Sequence, residues 1–274
     1  MKLYGAPVVL LAASFLCGCG GGLQPAEKAP ASTKAPASTE QQPPNIAGNW
    51  QFTAASTLPG KGSPTLAGSI SQDSDAIGGA LHVQGSACFD ALATMHFSGA
   101  TLHGNTSLTS TAVDGQVITI SGKFTQSAFS GTYKATGGCV ADDQGSLVGF
   151  NIPYLANELS GGFVNSAHDA FNVTGEIAQS VNPRADGTYE ISGSATFNTP
   201  CFHEGTLKSR PFPFGSYVLG ASVAFEFQTS NGTLKFLGGF NKDKSAIEGN
   251  YSISGDTCHD TGTAVLHLSS PWDY

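Results

Sequence analysis

Cysteine, histidine and carboxylate side chains gather at two places in the second half of the chain, Cys201-Phe-His203-Glu204 and Cys258-His259-Asp260. Zinc takes thiolate and imidazole ligands at such short spacings. His203, His259 and Asp260 also suit a weaker surface metal site that leaves the cysteines out. The first half carries Cys88-Phe-Asp90-Ala91 and Cys139-Val-Ala-Asp142, with no histidine beside either cysteine. A structural zinc would be expected in both halves, so the metal reading is the weaker one.

Other chemistry finds less support. No Gly-x-Ser-x-Gly elbow is present, and His203-Glu204 lacks the second histidine of a His-Glu-x-x-His motif. Asp142-Asp143 is a carboxylate pair, but it reads as part of a polar loop beside Cys139. Glycine is plentiful without forming a phosphate-binding loop. Trp50 and Trp272 could stack on a sugar or a partner, although an aromatic plug at the end of a domain is the commoner use. These residues lead to the expectations that the chain is not an enzyme and needs no cofactor.

The amino terminus carries the clearest motif. Lys2 precedes an apolar stretch from Leu3 to Leu16, which closes on Leu16-Cys17-Gly18-Cys19. This resembles the lipobox of bacterial lipoproteins. The resemblance implies cleavage before Cys19, acylation of Cys19, and residues 1–18 as a signal peptide. The apolar stretch is too short to span a bilayer, which needs ~20 residues. Several acyl chains together give stable anchoring. Gly20 stands where an inner-membrane lipoprotein often has Asp, which implies the outer membrane in a cell that has one.

Residues 19–45 then hold two consecutive copies of one hexad, Lys28-Ala-Pro-Ala-Ser-Thr33 and Lys34-Ala-Pro-Ala-Ser-Thr39. Pro, Ala, Ser and Thr cannot bury enough surface to offset ordering entropy, so this segment reads as a disordered spacer between lipid and folded chain. The net charge is −8 and only 12% of residues are charged. With no basic cluster, nucleic acid and direct adhesion to anionic lipid are not expected.

The remainder repeats itself. Ile46-Ala-Gly-Asn-Trp50 matches Leu159-Ser-Gly-Gly-Phe163, and Gly68-Ser-Ile-Ser-Gln72 matches Gly175-Glu-Ile-Ala-Gln179. Gly122-Lys-Phe124 and Gly131-Thr-Tyr133 match Gly238-Gly-Phe240 and Gly249-Asn-Tyr251. Two related domains follow, over 46–152 and 158–271. One cysteine pair falls in each copy, so pairing within copies is expected: Cys88 with Cys139 and Cys201 with Cys258. An even cysteine count in an exported chain agrees.

Within each copy, apolar and polar residues alternate, as in Val223, Phe225 and Phe227 against Ala224, Glu226 and Gln228. Period two means strands with one buried face. Asp114-Gly115 and Asn231-Gly232 are hairpin signals at equivalent points. About eight strands per copy and no amphipathic helix imply an all-β chain of two tandem antiparallel domains. A small up-and-down barrel is the expected form, with a sandwich as the alternative. Gly48-Asn49-Trp50 resembles the Gly-x-Trp start of lipocalin-like barrels. The whole resembles small duplicated envelope lipoproteins of unassigned function. A membrane-spanning barrel is not expected, because the strand runs are mostly short and aromatic girdles are missing.

Three functions remain: a binding module of the cell envelope, a structural lipoprotein without ligand, and an enzyme with an unrecognised site. The first is favoured. Its partners are the membrane, through the anchor, and a small apolar ligand, a glycan or an envelope protein.

Overall fold

The computed structural model describes residues 44–268 except 59–62, 87, 91, 103 and 139–141. Cys19 and its lipobox, the hexad spacer, Cys139 and Trp272 lie outside the described residues. Among the described residues no helix is long and apolar enough to cross a membrane.

The alternating patterns become strands. In the first copy these are β1 (Gly48–Ser56), β2 (Thr65–Asp73), β3 (Ala76–Gln84) and β4 (Thr94–Leu102). They are followed by β5 (Asn105–Ser110), β6 (Val117–Phe124), β7 (Ala128–Thr136) and β8 (Asp143–Ile152). Each pairs antiparallel with the next, and β8 returns to β1 through eight register pairs from Asn49↔Ile152 to Ser56↔Gly145. Closure removes the two exposed edges that an open meander would carry. The barrel form therefore holds, and the sandwich does not.

The second copy comprises β9 (Ala156–Asn165), β10 (Ala170–Gln179), β11 (Tyr189–Phe197), β12 (Glu204–Leu207) and β13 (Tyr217–Leu219). It continues with β14 (Ser222–Thr229), β15 (Gly232–Phe240), β16 (Ala246–Ser254) and β17 (His259–Leu268). It closes in the same way, β17 onto β9 and β10 onto β11. Its fourth position is split: β12 and β13 both lie between β11 and β14. The nine intervening residues, Lys208 to Ser216, have no counterpart in the unbroken β4 of the first barrel. Glu226 on β14 holds this insertion. Its carboxylate takes Arg210 at 3.4 Å and the Gly215 N–H at 3.3 Å, while its carbonyl accepts from Lys208 N.

The repeated motifs occupy equivalent places. Gly122 and Gly131 face each other across β6–β7, and Gly238 faces Gly249 across β15–β16. In each pair an aromatic ring, Phe129 or Phe236, covers the glycine surface. Asp114 and Gly115 adopt φ of 50° and 75°, the mirror-image turn that fits strand twist. In the second copy the turn falls on Ser230-Asn231, one residue earlier than expected, and Gly232 already belongs to β15.

Both interiors are packed with aromatic side chains. Trp50 is fully buried, sits edge-on to Phe124 at 4.9 Å, and donates from Nε1 to the Ile46 carbonyl. This is the plug of a barrel end, not an exposed stacking platform. In the second barrel Phe163 stacks on Phe171 at 4.7 Å and meets Tyr251 edge-on at 5.0 Å.

A conserved-geometry polar pair sits in each barrel. Tyr133 donates to Asp143 at 3.1 Å, and Tyr251 to Asp260 at 2.7 Å. Burial, then the Asp260 hydrogen bond and charge, raise the Tyr251 hydroxyl above the usual tyrosine range. Burial also raises Tyr133 and Tyr217, and pushes Tyr189 up to about 12. Unfolded tyrosine ionises near 10, so these groups favour the native state below that pH and withdraw the preference as pH rises through their raised folded-state values. Ultraviolet titration is expected to show these four of the seven tyrosines ionising late, together with loss of structure. Reversible ionisation of all seven near pH 10 in the folded protein would contradict these environments.

Candidate functional site

The residues singled out by spacing do not assemble into a metal centre. Cys201 and Cys258 are joined to each other, with Cα atoms 5.8 Å apart, so their sulfurs are not free for zinc. Cys88 is also disulfide-bonded. Its expected partner, Cys139, lies outside the described residues. His203 and His259 are exposed at the approaches to β12 and β17, and the Asp260 carboxylate is occupied by Tyr251 and the Thr261 N–H. Among the described residues no group of three or more His, Cys, Asp or Glu is placed to hold a metal ion. Asp143 sits inside β8's hydrogen bonding to Ser56 and Tyr133 and is buried.

What the structure brings together instead is the pair of barrels. The polar residues Asn49 and Gln51 point outward from β1, yet both are buried. Asn49 donates from Nδ2 to the Gly220 carbonyl and accepts from the Gly220 N–H, both at 2.9 Å, and Gln51 Oε1 accepts from Ala221 N. The side-chain amide thus completes the backbone bonding of a turn in the other barrel, as burial requires. Beside them Ala67 joins Tyr217, Leu219 and Ala224 in a small apolar core against which Phe212 of the insertion packs. His82 is fully buried there, its Nε2 2.8 Å from the Asp186 carbonyl and its ring against Phe212. Lys244 closes a further contact, donating to the Asn151 carbonyl at 2.9 Å with its ammonium over the Phe150 ring.

This junction leaves a groove of about 480 Å³, a size within the usual ligand-pocket range. Its floor combines Ile70, Ile152 and Tyr189 with the amides of Asn49 and Gln179, each at most 4% exposed. Its rim is formed by Tyr154 of the connector Pro153-Tyr154-Leu155 and by Val181 on the loop between β10 and β11, 53% and 81% exposed. Polar groups are interleaved with these. Gln179 fastens the connector, accepting from Leu155 N through Oε1 and from the Tyr154 hydroxyl through its carbonyl. The Asn182 amide and the Ser71 hydroxyl have no hydrogen-bond partner among the described residues.

Among the described residues no charged side chain lines the groove. The neighbouring cations are consumed elsewhere: Arg184 by Glu190 at 3.1 Å and the Arg210 carbonyl, Lys244 by Asn151 and Phe150. The Ser209 hydrogen bond first, then Arg184, hold the Glu190 carboxyl below its ordinary range.

Two other depressions lie on barrel exteriors. One, across β9 to β12, carries Glu158, Glu176 and Glu204 among serines and threonines. The other, across β6 to β8, is lined mainly by Thr119, Ser121, Thr132 and Ser146. Both lie on the surface of one sheet. The junction groove differs because both barrels build it.

No family model and no curated protein matches the chain. Among solved structures, that of kievitone hydratase from Nectria haematococca matches over 86% of this chain and 93% of its own, with 10% identity and a TM-score of 0.24. The expectation that the chain is not an enzyme is corrected by this finding, because the matched protein is an enzyme, a hydratase. At that TM-score the likeness carries no argument about what this chain does, and no activity is taken from it.

Proposed function

We propose that the chain is an exported lipoprotein, held by lipid on Cys19, that presents its two barrels at a cell-envelope surface as a binding module. The groove between the barrels is its binding site. The observation that carries this reading is the groove itself: a buried floor with Ile70, Ile152 and Tyr189, two exposed rim residues, Tyr154 and Val181, and unpartnered polar groups, contributed by both barrels. An exposed Val181 and a half-exposed Tyr154 over such a floor are surface that a ligand would remove from water. The lipobox and the hexad spacer support export and anchoring, and the Cys201–Cys258 disulfide agrees with an oxidising compartment.

Two variants test the two halves of the proposal. Cys19→Ser is expected to move the protein from the membrane fraction to the soluble fraction. Val181→Asp places a charge on the rim, and is expected to abolish binding of a ligand identified by its copurification while leaving the fold intact. A Cys19→Ser protein still sedimenting with membranes, or a Val181→Asp protein that retains its ligand, would refute the corresponding half.

A further inference from the structure

The reading of the groove as a binding site also fixes the chemistry of what it takes. Phosphates, carboxylates and uronic acids are recognised by guanidinium or ammonium groups. Among the described residues the lining has none, and the nearby Arg184 and Lys244 are already committed. An extended peptide adding a strand needs a free sheet edge. Both barrels are closed, so none is offered at the groove. A purely aliphatic ligand would leave the Asn182 amide and the Ser71 hydroxyl facing hydrocarbon, which costs free energy.

One class satisfies both kinds of surface. A pyranose ring has an apolar C–H face and an edge of hydroxyls. The half-exposed Tyr154 ring, with Val181 and Pro183 beside it, suits the face. The Asn182 amide can donate and accept toward adjacent hydroxyls, as can the Ser71 hydroxyl. We infer that the ligand of the junction groove is an uncharged glycan, with Tyr154 as its stacking residue and Asn182 as its hydrogen-bonding residue. This inference rests on the groove being the binding site, and its test separates the two.

The test exposes the full mature protein to immobilised neutral and anionic glycans and, separately, to Nile red, an uncharged apolar dye. Tyr154→Ala, Asn182→Ala and the wild type are compared, with circular dichroism as the check on folding. The expected result is binding of neutral glycans only, weakened about fivefold by either substitution, since one lost hydrogen bond or stacking contact is worth about 1 kcal/mol. Binding of anionic glycans alone overturns the inference. Dye binding that depends on Tyr154, with no glycan bound, overturns the inference and keeps the groove as a site. If neither probe distinguishes the variants from the wild type, both the inference and the binding-site reading fall.

Discussion

Gly187→Ala is expected to part the two barrels. Gly187 lies on the loop between β10 and β11 with φ of 83°, in the left-handed region that a Cβ disfavours. Its added Cβ would stand 2.1 Å from the Ala80 carbonyl oxygen on β3 of the other barrel. That neighbour is backbone within a closed sheet, so the loop has to move rather than the sheet. Gly220→Ala acts at the second contact, where φ is 55° and the Cβ would fall 2.3 Å from Gln51 Oε1 and 2.7 Å from Ala67 Cβ. Gln51 can withdraw, but Ala67 cannot. Backbone strain and overpacking together make each change worth about 2–5 kcal/mol, with Gly187→Ala the larger. Hydrogen exchange reports it directly: the Gly220 and Ala221 amides, held by Asn49 and Gln51, lose protection while strand amides inside each barrel keep theirs. Unchanged exchange at those two amides in Gly187→Ala would show that the barrels are not locked together as described.

Removing Cys201 and Cys258 together is expected to destabilise the second barrel by about 4 kcal/mol, from the chain-entropy relation for a loop of this length. The two cysteines are 57 residues apart in sequence, and the bridge ties the approach to β12 to the approach to β17. The interior itself remains filled, because both sulfurs lie at the margin of the core and not at its centre. The loss therefore comes from the freed unfolded chain and not from a cavity. Denaturant unfolding of the Cys201→Ala, Cys258→Ala protein against the oxidised wild type measures it. Coincident midpoints would mean that aromatic packing alone sets the stability of this barrel.

Much of the architecture was readable from residue pattern, for a physical reason. Closed barrels expose one face of each strand, so alternation survives in segments such as β5, where Asn105, Ser107 and Thr109 are outside and Thr106, Leu108 and Ser110 inside. The duplicated Gly122–Gly131 and Gly238–Gly249 pairs recur because each places an aromatic ring over facing glycines. The barrel–barrel contact was not read. Its residues, Asn49, Gln51, His82 and Ala67, occupy outward strand positions where polar or small side chains are ordinary. A signal was present, though. On β2 the run Leu66 to Ile70 is buried on both faces, and its outward members Ala67 and Ser69 are small. Strands covered on both sides lose their alternation in this way. The Lys208–Ser216 insertion, with two prolines and two phenylalanines, was the other clue, since it interrupts one copy only and supplies Phe212 to the contact.

The candidate site followed the same course. Spacing drew attention to Cys201, His203, His259 and Asp260, where local sequence holds the reactive residue types together. The groove draws on β1, β2, β8, the connector, β10 and β11. No two of its rim residues stand in a recognisable motif, because closure and docking, not local spacing, bring them together.

The proposed lipid-held barrel pair with a ligand in its junction groove is best tested by native mass spectrometry of the mature protein extracted from its own membranes. The expected spectrum shows acyl mass on Cys19 and a dissociable uncharged ligand that is absent from the Val181→Asp protein. An unmodified Cys19, together with identical ligand-free spectra for both proteins, would contradict it.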